Sequence, residues 1–166
     1  MALPTAVARA VTTLTFTENG ADTNTITIGG KVYTLQASLT NVDGNVKLGG
    51  TTAVTIANIV AAVGLGSGAG TLYATAMTAN PHCRVRSSTA TTIVFEAKVP
   101  GTIGNLIPSS DTLAGSSAFT STVLGSGSGS ASVFIEEVLD QCNLNSEVRT
   151  LLMAFLGDEL EPAAIA

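Results

Sequence analysis

The chain has 166 residues, of which 45% are hydrophobic and only 11% charged, with a formal net charge of −5. An ordinary soluble domain carries roughly 25% charged residues, so the hydrated surface here must rest on Thr, Ser, Asn and Gly, which repel a neighbouring molecule weakly. The first 130 residues hold six basic and five acidic groups without a basic stripe, which excludes phosphate neutralisation and so a nucleic-acid partner; no apolar run of roughly 18 residues exists to span a membrane.

Residues 1–10, "MALPTAVARA", lack the basic start and long apolar core of a signal peptide and are expected to form an N-terminal arm. Residues 11–124 read as one α+β domain. "VTTLTFT" at 11–17 alternates and is rich in β-branched and aromatic residues, a strand pattern. In "NTITIGGKVYTLQASL" two strand-like runs flank Gly29–Gly30, whose tolerance of positive φ suits a type I′ hairpin turn. Ile26, Ile28, Val32 and Leu35 are its expected core residues. Asp43–Gly44 supplies a further turn.

The period then changes. Ile56, Ile59, Val60 and Val63 fall at i, i+3, i+4 and i+7, one stripe of an amphipathic helix. Thr55 is the expected N-cap and Gly64 the expected left-handed C-terminal residue. Strands resume with "TLYATAMT", "CRVRSS" and "TTIVFEAKV", the last two as a hairpin turning at 87–90. This order gives a mainly antiparallel sheet with one covering helix. "PGTIGNLI" leaves the last strand carrying aliphatic side chains that an ordinary loop does not need. It is expected to plug the open end of the core.

Residues 125–132, "GSGSGSAS", have the composition of a flexible linker. Beyond it, residues 133–166 form an acidic tail with seven carboxylates against Arg149 alone. Ile135, Val138, Leu139 and Cys142 make one helical stripe, and Val148, Leu151, Leu152 and Phe155 a second. Two short helices follow, each with an apolar face. Helices this short are marginal alone, so they must fold back or dock on a partner, and Val148, Leu151, Leu152 and Phe155 are the candidate partner-binding residues.

No catalytic, cofactor or metal-ligand constellation is present. "GLGSGAG" at 64–70 follows a helix and precedes a strand, the reverse of a dinucleotide-binding turn, and reads as a connector. In "NPHCRVR" the neighbours His82 and Cys83 point to opposite faces of a strand, which spoils a nucleophile–base pair. Arg84 and Arg86 read either as solvated side chains or as contacts for an acidic partner surface. The acidic tail lacks EF-hand spacing and reads as a solvated helix face. Cys83 and Cys142 leave two readings open: free thiols, with Cys142 buried on its helix face and Cys83 the more reactive because the positive charge of Arg84 favours thiolate, or a disulfide closing a loop of about 60 residues, worth roughly 4 kcal/mol in the chain-entropy model.

Four segments stand in order: "ITIGGKVYTL", "IANIVAAV", "GAGTLYATAMTANP" and "VFEAKVPGTIGNLI". Together they resemble a module of tailed-bacteriophage virion structural proteins, with its "ITIGGKxYTF" hairpin, "NLVAAI" helix, "GAGTxYxxxTxxNPxV" passage and "GTxGNxI" close. The resemblance covers residues 23–108, about half the chain. Leu35 stands where the module often has Phe, and Cys83 where a small or branched residue is usual. It implies a non-enzymatic virion component without cofactor, used in several copies beside other capsid or tail proteins. A capsid decoration (cement) protein is the leading expectation, with a neck, collar or tail accessory protein as the alternative. A glycan-binding fibre module is the rival from another class; it would need exposed aromatics, and the chain has no Trp and only Tyr33 and Tyr73.

Overall fold

The computed structural model describes residues 7–128. Eight strands, one α-helix and one 3-10 helix occur there. They are β1 (Val11–Thr15), β2 (Thr25–Ile28), β3 (Lys31–Gln36), β4 (Asn45–Lys47), α1 (Thr52–Gly64), β5 (Cys83–Ser88) and β6 (Thr92–Ala97), then the 3-10 helix Thr102–Leu106, β7 (Ser109–Asp111) and β8 (Ala118–Phe119). The fold is α+β, built on mainly antiparallel sheets. The tail stripes, Cys142 and the second half of the expected linker lie outside the described residues.

The strands form two four-stranded sheets, ordered β5-β6-β1-β8 and β4-β3-β2-β7. All the strand pairs within them are antiparallel except β3 with β4. One core lies between the sheets: Leu14 and Phe16 meet Ile93 and Phe95 from the first, and Ile26, Ile28, Tyr33 and Leu35 from the second. Each fully buried aliphatic or aromatic side chain contributes about 1.5–3 kcal/mol. β7 lies against β8 where the two sheet edges meet, while α1 packs on β4 of one sheet and on β5 and β6 of the other. The helix therefore bridges two sheets rather than covering the face of one.

The hairpin forms as its glycines predict, with φ of 59° at Gly29 and 78° at Gly30. Its core residues differ at one position. Strand side chains alternate strictly between faces, so Leu35 shares its face with Tyr33, which is buried, while Val32 lies on the other face at 45% exposure. In α1 the buried stripe is Ile56, Ile59, Ala62 and Val63, joined by Thr55 and Asn58. Thr51 is the N-cap, its hydroxyl accepting from the Val54 amide, and Leu65 takes the left-handed position with φ 50°. Thr55 is instead an interior link: its hydroxyl donates to Asn19 Oδ1 at 2.8 Å and accepts from the Gly49 amide at 3.0 Å.

The expected strand at 71–78 is not one. Tyr73 makes one isolated bridge to Val46 of β4, with Ala74 N donating to Asn45 O at 2.9 Å, but beyond it side chains take the amides: Ala76 N donates to Asn41 Oδ1 and Thr78 N to Asp43 Oδ1, both at 2.8 Å. Tyr73, Ala74 and Met77 still reach the interior.

The linker expectation also changes at its first half. Val11 and Gly125 exchange both backbone hydrogen bonds at 2.7 and 2.8 Å, as do Ala8 and Ser128 at 3.0 and 3.2 Å. Residues 125–128 thus lie antiparallel to residues 8–11 as part of the domain. The last residues of the expected arm are likewise built in, Ala10 being fully buried.

Candidate interaction surface

The segment after β6 turns its small residues inward and its large ones outward. Pro100, Gly101 and Gly104 are buried, whereas Val99, Ile103 and Leu106 are 53%, 55% and 78% exposed. This reverses the expected plug; of the four aliphatics only Ile107 packs against the core. Geometry supplies the reason. A Cβ on Gly104 would stand 2.9 Å from both Ala10 Cβ and Ala97 Cβ, closer than carbon atoms pack, so the 3-10 helix sits directly on the arm and β6. No room remains beneath it for aliphatic side chains.

This turn is also tied to both described ends of the chain. Gly101 N donates to Ala8 O at 3.0 Å, and Leu124 N to Ile107 O at 3.0 Å. The Asn105 side chain clasps buried Gly127, accepting from its amide at 2.9 Å and donating to its carbonyl at 3.1 Å. Arg9 lies across the same region, with its guanidinium on the carbonyls of Ala97 and Lys98. One pole of the domain therefore holds three exposed aliphatics, two cations (Arg9 and Lys98) and the points where the described chain begins and ends.

The arginines singled out from the sequence lie elsewhere, on the edge strand β5. Arg84 donates through Nε and Nη2 to Glu96 Oε2 at 2.9 and 2.7 Å, so its charge is satisfied within the domain. Arg86 falls at a register shift between Val85 and Ser87, where β5 bulges against β6. It is exposed and has no ion pair among the described residues. A bulge and a charge are both devices that discourage strand addition at an open edge.

Cys83 is fully buried and, among the described residues, a free thiol. Burial pushes it up to about 11, so the neighbouring arginines do not make it a reactive thiolate. Val148, Leu151, Leu152, Phe155 and Cys142 lie outside the described residues.

Residues Val99, Ile103 and Leu106 escaped the sequence reading because aliphatic character alone signals core. The usable signal was Gly101-x-x-Gly104, two residues without side chains on one side of a tight turn, which demands close backbone approach on that side. Among the described residues no group of three or more His, Cys, Asp or Glu could hold a metal ion, and no helix is long and apolar enough to cross a membrane. No family model matches the chain, and neither a curated protein nor a solved structure matches it.

Proposed function

We propose that the chain is a non-enzymatic structural component of a tailed-phage virion, used in several copies as a capsid decoration protein. In this reading the domain sits on the particle while the C-terminal stripe of Val148, Leu151, Leu152 and Phe155 reaches a neighbouring subunit. The observation that carries it is the pole just described. Exposed aliphatics there are fastened by small residues to both ends of the described chain, and they belong to the "VFEAKVPGTIGNLI" segment that resembles the virion module. The low overall charge supports the same reading, because weak repulsion suits dense packing of copies. The glycan-binding rival loses its stacking platforms: Tyr33 and Tyr73 are both buried, and sugar recognition draws on exposed ring faces.

Co-sedimentation with phage particles assembled without this protein tests the proposal. The full chain is expected to pellet with the particles, and a chain lacking residues 131–166 to bind far more weakly while remaining folded. Unchanged binding of the truncated chain, or no binding of the full one, overturns the reading.

A further inference from the structure

The aliphatic pole needs an occupant, and three features of the chain select one. We propose that Val99, Ile103 and Leu106 form the seat for residues 133–142 of the same chain, whose stripe is Ile135, Val138, Leu139 and Cys142. The first feature is where the described chain ends. Ser128 is fixed against Ala8 and Gly127 against Asn105, so the following residues start beside the 3-10 helix. The second is length. Five steps from Ser128 to Val133 span at most about 18 Å, and a helix of ten residues is about 15 Å long. Seating it needs an axis about 8–10 Å above its support, which the connection reaches without strain.

The third feature is charge. Glu136, Glu137 and Asp140 interleave with the stripe, and Arg9 and Lys98 flank the seat without carboxylate partners among the described residues. A tether this short holds the segment at an effective concentration in the millimolar range, which favours its own domain over a second copy. The segment 148–155 is then the one left to meet a neighbour. The seating itself does not depend on the virion reading.

The test uses the full chain. Ile103→Asp/Leu106→Asp places two charges on the seat at exposed positions, so the domain keeps its melting temperature within a few degrees. A water-soluble maleimide is expected to label Cys142 about tenfold faster in this variant than in the wild type, since protection reports the closed population. Cys83 stays silent in both. Equal labelling rates in the two proteins overturn the proposal.

Oxidation of Leu106→Cys with diamide then identifies the source of the segment. An intrachain bond between the introduced thiol and Cys142 is expected, running as a monomer on non-reducing electrophoresis and absent from L106C/C142S. It should form about tenfold faster than with Val32→Cys, on a different face. A disulfide-linked dimer as the sole product overturns the same-chain seating and assigns the seat to a second copy.

Discussion

Ile59 stands fully buried in the middle of the α1 stripe, and a carboxylate there would have no cation or donor to satisfy it. Ile59→Asp is therefore expected to lower stability by about 4 kcal/mol or more, enough to leave the domain largely unfolded in a thermal melt; a Tm within a few degrees of wild type would disprove the placement. Tyr33 gives the opposite case. Its hydroxyl is buried without a hydrogen-bond partner among the described residues, so Tyr33→Phe removes a desolvated group and should be neutral or stabilising by up to roughly 1 kcal/mol in urea titration. Burial pushes Tyr33 up to about 12 and Cys83 up to about 11. Groups raised in this way contribute stability that is complete below their unfolded values and is lost as pH climbs. Asp43 is held down to about 2 by the hydrogen bond from Lys31, so its contribution is present above about pH 4 and fades toward about pH 2. Melting temperature should accordingly be flat between about pH 5 and pH 8, decline weakly in acid because Asp43 is half exposed, and fall steeply above about pH 9. A Tm unchanged at about pH 11 would contradict the burial of both groups.

At the level of elements, the Asn105–Gly127 clasp fastens residues 125–128 to the 3-10 helix, and Asn105→Ala removes both of its hydrogen bonds. The expected cost is about 1–3 kcal/mol, with hydrogen exchange at the Gly125 and Gly127 amides accelerated more than at α1. Uniform acceleration would mean that the clasp is not local. This clasp also shows where sequence reading stops. The strands β1, β2, β3, β5 and β6 were legible because alternation over four to six residues reports a half-buried face. α1 was legible from its period, although Thr51 rather than Thr55 caps it. The short strands β4, β7 and β8, of three, three and two residues, carry too few alternations to register. Residues 71–78 alternate like a strand, but Asn41 and Asp43 capture their amides, a long-range event that local pattern does not encode. Residues 125–128 have a linker's composition and a strand's partners, because Gly127 fits where no side chain could, a Cβ there standing 3.2 Å from Ala10 Cβ and against the Gly101 carbonyl. The candidate surface was hidden for the converse reason: its aliphatics look like core until the glycines beneath them are seen to leave no room.

For the whole molecule, the boundary of the domain moves from residue 124 to residue 128. Two truncations test that boundary. Ending the chain at Ser128 should leave the melting temperature within a few degrees of the full protein. Ending it at Leu124 deletes the partners of Val11, Ala8 and Asn105 and should cost about 2–4 kcal/mol; equal melting of the two would restore the earlier boundary. The antiparallel pairing of Ala8 with Ser128 has a further consequence. The backbone enters and leaves the described domain through one doorway, so that everything between is topologically a closed loop. A domain of that form can be spliced into an exposed turn of a host protein without prying the host's turn apart. It can equally be recut, with Ala8 and Ser128 joined by a few glycines and new ends opened at Thr89–Thr91, the turn between β5 and β6. The order of segments along the chain would change while the pairing of strands stayed as it is.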